Sequence, residues 1–210
     1  MKNSICIAGD RTISDWNTLR PKLVKKSFDQ QSWDDAKAFL DLRLEHRYFN
    51  AIEAIRSQNS NKLKGEGFAI CTLICSLIEA VETFYQGTNF STRPSNRYEY
   101  GFGQSKKIYQ DFLTKRAPFS SYFDKKLAID FYLNVRCALL HEASTRNNWV
   151  INIRNHQSVT INREQKTINR SLFISDLKVC INLYKDELNR SPELQKAFIR
   201  KFDGICNNST

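Results

Sequence analysis

The stretch from Phe68 to Gln86 constrains the fold most, because apolar residues cover nearly the whole circumference of the helix that it predicts. Its main polar stripe is formed by Thr72, Ser76, Glu79 and Thr83. A helix of this kind is buried on most sides and therefore predicts a bundle of helices around it. Glu79 and Glu82 interrupt the apolar run, which falls short of the ~20 residues that span a membrane. Gly87 is the predicted stop of the helix.

The composition favours the same architecture. The 210 residues include 7 Gly and 4 Pro, which is typical of long uninterrupted helices, and 41% of them are hydrophobic. We therefore predict one mostly α domain over residues 1–210, organised as a helical bundle. Its six cysteines are thinly spread and form no Cys-x-x-Cys pair, which is typical of reduced thiols in a cytoplasmic protein. The short apolar stretch near the N-terminus does not predict a signal peptide.

The remaining elements follow from periodicity. Helices are predicted over 32–57, 104–115, 121–143 and 171–190, and from Pro192 to Gly204. Residues 12–28 are predicted to form a helix or a pair of short turns, broken around Pro21. Ser32 and Asp35 form a capping signature for the helix over 32–57. Alternating apolar and polar residues predict a β-hairpin over about 148–163, with its turn at 155–158. This hairpin would precede the C-terminal helices.

The predicted helix over 121–143 contains two polar residues where they are not expected. Residues 127–140 are apolar on nearly all sides, yet Arg136 lies within this run and His141 directly follows it. Burial of an unpaired guanidinium costs several kcal/mol, in order of magnitude. Either Arg136 has a carboxylate partner or this side of the helix lines a cleft. The candidate partners are Asp130, Glu142, Glu79 and Glu82.

The run Val135-Arg136-Cys137-Ala138-Leu139-Leu140-His141-Glu142 resembles the Arg-x(4–6)-His signature of HEPN domains. The resemblance covers residues 131–142 at the level of the motif and about 33–190 in architecture. It implies a helical bundle of HEPN type that acts as a metal-independent endoribonuclease without cofactor, in bacterial antiviral defence or as a toxin. Arg136 and His141 would be its catalytic residues.

The implied chemistry is attack by the 2′-hydroxyl of RNA, which leaves a 2′,3′-cyclic phosphate. Arg136 would hold the phosphate and His141 would exchange a proton. The two positions lie about 140° apart on an ideal helix, at ~100° per residue. The family brings such residues together in a homodimer with a composite site, and we expect a homodimer here. Family toxins that are paired with a nucleotidyltransferase antitoxin carry Tyr where this chain has Ala143.

Further residues are candidates for supporting roles and for RNA contact. Glu79, Asn134 and Glu142 are possible supporting residues. The net charge of +10 favours a polyanionic partner such as RNA. The candidate RNA-binding residues lie in or near the predicted hairpin and are Arg146, Trp149, Arg154, Arg163 and Lys166. No metal ligands and no membrane contact are predicted, whereas an antitoxin or regulatory protein is a possible partner.

Two other functions remain open at this point. The first is a non-catalytic HEPN-like module that binds nucleotide, RNA or a protein, in which Glu79 or Glu82 closes off Arg136. The second is a basic RNA-binding or regulatory protein that acts through its hairpin. An open cleft around Arg136 favours the enzyme, and a closed Arg–Glu contact favours the module.

Overall fold

The computed structural model describes residues 4–25, 27–57, 65–152 and 159–209. The chain divides into two compact units. The first comprises Met1–Ala51, Thr83–Gly101 and Tyr184–Thr210, and the second comprises Ile52–Glu82 and Phe102–Leu183. The described chain is mostly helical, which confirms the predicted fold class. The assignment of residues 1–210 to one domain stays a prediction.

The helices in chain order are α1 Ile13–Leu23, α2 Gln30–Leu44, α3 Asn50–Ser57, α4 Glu66–Gln86, α5 Ser105–Lys115, α6 Lys125–Phe131, α7 Ala138–Glu142, α8 Arg170–Leu188 and α9 Pro192–Asn208. Two wide π-helical turns join consecutive helices: Glu45–Phe49 links α2 to α3, and Tyr132–Cys137 links α6 to α7. The helices predicted over 32–57 and 121–143 are therefore continuous over 30–57 and 125–142, each with one wide turn.

An aromatic cluster forms the core of the first unit. The ring of Trp16 in α1 stacks on Phe202 in α9 with their centroids 4.7 Å apart, and Phe39 of α2 contacts both. The indole nitrogen of Trp16 donates to Asp203 at 2.9 Å, so the buried ring keeps a hydrogen-bond partner. The start of α1 is fixed by a reciprocal capping box between Thr12 and Asp15.

Several predicted helix ends are wrong. Helix α1 ends at Leu23 and not at 28, with Pro21 inside it, and α6 begins at Lys125 and not at 121.

The predicted ends at Ser32 and Gly204 are also wrong. Helix α2 begins at Gln30, so Ser32 lies in its first turn, and its hydroxyl donates to the Asp29 carboxylate at 2.5 Å. Helix α9 continues past Gly204 to Asn208. A side chain at 204 would clash with Asn89, because an added Cβ would lie 2.0 Å from its amide nitrogen. Gly204 therefore makes room for a neighbouring side chain instead of ending the helix.

The core of the second unit is built from α4, α5, α6 and α8. Phe119 and Phe131 both contact Phe173 of α8, with ring centroids 4.9 and 6.0 Å apart. Helix α4 is long and apolar enough to cross a membrane by length and composition, but 61% of its most apolar window is buried inside the protein. Burial in the core therefore accounts for its apolar surface, as the sequence predicted.

Three small sheets complete the described chain. Strands β1 Cys6–Ala8 and β2 Arg11–Thr12 are antiparallel, and β3 Asn89–Phe90 and β4 Glu99–Tyr100 are parallel. The third sheet contains β5 Val150–Asn152, β6 Ile161–Asn162 and β7 Thr167–Asn169, with β7 in the centre.

The predicted hairpin over about 148–163 is therefore wrong in its pairing. Strand β5 runs parallel to β7, whereas β6 is antiparallel to β7 and forms the actual hairpin with it. The cause is the third strand, because the buried Ile168 pairs with both Ile151 and Ile161. Strand β7 contains three residues, which is too short for a period to be read from the sequence. The predicted turn at 155–158 lies outside the described residues.

Candidate active site

Arg136 lies in the wide turn Tyr132–Cys137, between α6 and α7. Such turns occur often at functional sites. The guanidinium Nη2 of Arg136 lies 3.3 Å from Oε2 of Glu79 in α4, and the two side chains are 19% and 18% exposed. The other oxygen of Glu79 accepts a hydrogen bond from Ser105 Oγ at 3.1 Å. Arg136 is thus paired with a carboxylate, and yet solvent reaches it.

Two tyrosine rings surround the guanidinium of Arg136. Its central carbon lies 5.5 Å from the ring centroid of Tyr132 and 5.8 Å from that of Tyr109, within cation–π range. Burial by itself lowers the pKa of Arg136, but Tyr109, Glu79 and Tyr132 together raise it above its ordinary value. Arg136 therefore carries a fixed positive charge.

Sequence reasoning missed both rings. Tyr132 stands four residues before Arg136, a spacing at which helical side chains are neighbours, so it was accessible from the sequence. Tyr109 comes from α5, and no local pattern connects it to the motif. Its buried hydroxyl donates to the carbonyl oxygen of Cys75, which holds the ring in place.

His141 lies in α7, one residue before the end of the helix, and is exposed. The helix stops because Ala143 adopts the left-handed conformation with φ of 52°. Within the described residues, the imidazole forms no hydrogen bond or ion pair, with Arg136 or with any other group. His141 is therefore accessible from solvent and is not a satisfied core histidine.

The four carboxylates that were candidate partners of Arg136 have separate partners. Glu79 contacts Arg136, as predicted for one of them. The fully buried Glu82 is bound through both oxygens by Arg116, at 2.8 and 2.9 Å. Glu142 accepts from Arg146 Nε at 2.7 Å. The possible supporting residue Glu142 is thus directed to the exposed Arg146 side chain.

Asp130 forms a polar centre that the sequence did not reveal. Its Oδ1 accepts from the amides of Asn134 and Asn147, both at 2.8 Å. Its Oδ2 accepts from Trp149 Nε1 at 2.9 Å and lies 3.1 Å from Lys166 Nζ. Burial raises the pKa of Asp130, but the bonds from Trp149, Lys166 and Asn147 outweigh it and hold the pKa below its usual value. Asn134, a possible supporting residue of the catalytic pair, is one of the donors to this centre, and its supporting role stays a prediction.

Trp149 packs into the core of the second unit. Its side chain is 3% exposed and packs edge-to-face on Phe131 with the centroids 5.6 Å apart. The ring is covered in this structure, and the assignment of Trp149 to RNA binding stays a prediction. Arg146 is exposed, and Arg154 lies outside the described residues.

The other two candidate RNA-binding residues, Arg163 and Lys166, line a groove along α6 with a volume of about 540 Å³. Lys126 adds a third cation, whereas Asp124 and Asp130 oppose them. Arg163 is ion-paired with Asp124, and Lys166 with Asp130. These ion pairs reduce the positive electrostatic potential of the groove. Its described lining residues nevertheless include more cations than carboxylates.

A cavity of about 870 Å³ lies in the first unit and contains none of the predicted site residues. Arg200 stacks over the Tyr98 ring at 3.9 Å and donates from Nε to the carbonyl oxygen of Gly87 at 2.9 Å. Asp203 is bound by Trp16 and Arg20. The charged groups of this cavity are thus engaged within the protein, and the candidate site stays at Arg136 and His141.

No family model, curated protein or solved structure matches the chain. The assignment to the HEPN family therefore stays a prediction that rests on the motif residues.

Proposed function

We propose that the chain is a metal-independent endoribonuclease in which Arg136 binds the scissile phosphate and His141 exchanges protons with the reacting oxygens. The observation that carries the proposal is that both motif residues reach solvent on a helix whose opposite side is buried in the core. The buried residues of this helix are Ala128, Phe131, Val135, Ala138 and Leu139. Arg136 keeps its charge through Glu79 and the two tyrosines. One nitrogen of the guanidinium lies 3.3 Å from Glu79, and a charged guanidinium that presents several N–H donors suits a phosphate.

The reaction needs one proton acceptor and one proton donor. His141 accepts the proton of the 2′-hydroxyl while the 2′-oxygen attacks phosphorus and the bond to the 5′-oxygen breaks. The partner's His141 donates a proton to the leaving 5′-oxygen, and the product is a 2′,3′-cyclic phosphate. Arg136 offsets the negative charge that develops on the phosphate oxygens.

A second copy of the chain is part of the proposal. Leu133 and Leu140 are 46% and 50% exposed and lie seven residues apart on the motif helix, on either side of Arg136. Exposed leucines at this spacing suit the packing of one helix against another. Burial of both leucines by the same helix of a partner would place two His141 residues near one another.

The first experiment measures cleavage of a labelled mixed-sequence RNA in EDTA by the wild type, Arg136→Ala and His141→Ala. We expect cyclic-phosphate ends from the wild type and a loss of rate of about 100-fold or more in each variant. Arg47→Ala and His46→Ala are matched controls, since both residues are exposed on the π-turn between α2 and α3. Equal cleavage by the wild type and both motif variants contradicts the proposal.

The second experiment tests the composite site. The pair Leu133→Lys and Leu140→Lys is compared with Val179→Lys and Leu183→Lys, which alter two similarly exposed apolar residues of α8. We expect the first pair to convert a dimer into a monomer in sedimentation and to abolish cleavage, whereas the second pair leaves both unchanged. A wild type that cleaves RNA as a monomer contradicts the dimeric site.

One observation favours a different function, a non-catalytic binding module. Glu79 already contacts Arg136, and this contact is the arrangement expected where the motif serves stability. In that case Glu79→Gln destabilises the fold, and RNA is bound without cleavage. Under the enzymatic proposal, Glu79→Gln changes the cleavage rate of a folded protein. The role in bacterial defence or as a toxin stays a prediction from the resemblance.

A further inference from the structure

An apolar groove on the first unit lies between the end of α1 and the start of α9. We call it the Phe28 groove, and its volume is about 530 Å³, within the range of binding pockets. Two of its apolar side chains, Val24 and Phe28, are 55% and 47% exposed. The apolar lining consists of Leu23, Val24, Phe28, Trp33, Pro192 and Ile199.

The exposed ring of Phe28 has a fixed support. It lies parallel to the buried Trp33, with an interplanar angle of 3° and centroids 6.4 Å apart. Trp33 in turn contacts Phe198 of the aromatic core at 5.9 Å. The floor of the groove is therefore continuous with the core of this unit. An exposed apolar surface that packs directly on the core in this way is typical of an interaction site.

The charged groups that line the groove all have one sign. They are Lys25, Arg190 and Lys196, and the described lining residues include no carboxylate. Arg190 is exposed, and its side chain forms no hydrogen bond or ion pair with the residues that the structure describes. Lys196 pairs with Glu193 at 2.7 Å, but both side chains are more than half exposed, so this pair contributes little.

We propose that the Phe28 groove binds a short acidic segment of a partner protein. One or two apolar side chains of the segment enter the groove beside Phe28, and flanking carboxylates face Lys25, Arg190 and Lys196. Charge complementarity is the reason for this choice of occupant. A second copy of the chain is not chosen as the occupant, because the leucines proposed for its contact, Leu133 and Leu140, do not line this groove. This proposal does not depend on the ribonuclease activity.

The test uses a panel of fluorescein-labelled hexapeptides and the full chain with Arg136→Ala. Every peptide has two central positions, which together sample all pairs of Leu, Ile, Phe and Trp, between two Glu residues on each side. Fluorescence anisotropy measures binding. We expect at least one member to bind with a dissociation constant below about 1 mM, which corresponds to roughly 4 kcal/mol. The same peptide with Lys in place of Glu should bind at least about tenfold more weakly.

Two variants locate the binding site. Phe28→Ser removes an exposed ring and should weaken binding about tenfold or more, and Arg190→Glu should weaken it severalfold and reduce its dependence on salt. Val179→Ser and Lys106→Glu are matched controls at exposed positions of the second unit, and they should leave binding unchanged. Circular dichroism checks that each variant is folded.

Four results overturn the proposal. The first is that no member of the panel binds, and the second is equal binding by the Arg136→Ala chain with and without a folded Phe28→Ser substitution. The third is displacement of the peptide by single-stranded RNA with equal affinity, which would assign the groove to polyanions in general. The fourth is a loss of self-association in Phe28→Ser, which would assign the groove to a second copy.

Discussion

The substitution Asp130→Asn tests the polar centre that ties the motif helix to the chain after it. Asp130 receives hydrogen bonds from Asn134, Asn147 and Trp149 and lies 3.1 Å from Lys166. An amide keeps one acceptor oxygen but brings two donors into a site that already consists of donors. It also removes the charge that strengthens each contact.

The expected loss of stability can be estimated from these contacts. A hydrogen bond to a charged group contributes about 1.5–3 kcal/mol. The Asp130 side chain is 21% exposed, so solvent partly screens its ion pair with Lys166. We therefore expect Asp130→Asn to lower the free energy of unfolding by about 1–3 kcal/mol at pH 7. Asp35→Asn, in an exposed carboxylate of α2, should change it by less than about 0.5 kcal/mol.

The effect of Asp130→Asn should depend on pH with a defined sign. The pKa of Asp130 in the folded protein lies below its ordinary value of 3.8. Its charge therefore stabilises the fold fully above that ordinary value, and the contribution is lost as the pH falls through the folded pKa. The difference between wild type and variant should be constant from pH 7 to about pH 5 and should shrink below about pH 4.

Urea unfolding followed by tryptophan fluorescence measures this difference, since Trp149 donates directly to Asp130. The unfolding midpoint is compared at several pH values, with the dependence on urea concentration checked for a constant slope. A difference that is as large at pH 3.5 as at pH 7 would refute the electrostatic reasoning. The loss would then come from the geometry of the amide and not from the missing charge.

Two further substitutions test the fold. Gly204→Ala should destabilise the protein by about 1–3 kcal/mol, although alanine favours helices, because the added Cβ would lie 2.0 Å from the Asn89 amide nitrogen. The double variant with Asn89→Ala should recover most of this loss in thermal unfolding, and a lack of recovery contradicts the steric argument. Arg116→Met removes the partner of the fully buried Glu82 and should lower the free energy of unfolding by about 3–5 kcal/mol. Addition of Glu82→Gln to Arg116→Met should restore part of it in urea unfolding, and a further loss would show that other contacts of Glu82 dominate.

The long helices could be predicted because their apolar residues repeat over several turns. Phe68 to Gln86 is one example, and the structure extends it by only two residues at its start. The third sheet could not be predicted, because β7 contains three residues and β6 contains two. Strands of this length have no measurable period, and their order depends on long-range pairing.

The candidate site, like the fold, could be predicted only in part from the sequence. The sequence indicated Arg136, His141 and the possible partner Glu79, since a charge within an apolar helix is conspicuous without a structure. The sequence did not indicate Tyr109 or the role of Asp130, because these depend on how separate elements pack. The exposure of His141 also required the structure, since the left-handed Ala143 ends the helix two residues beyond it.

The wide turn Tyr132–Cys137 has a consequence for how the chain tolerates changes of length. A π-helical turn is closed by an i→i+5 hydrogen bond and therefore contains about one residue more than an α-helical turn. Loss of a single residue, such as the exposed Leu133, would therefore let α6 and α7 join as one regular helix with their buried sides still turned inward. The residues inside the turn, which include Arg136, would then change direction relative to α6 and α7. At this turn, the length of the chain sets the direction of the guanidinium, while the flanking helices are left in place.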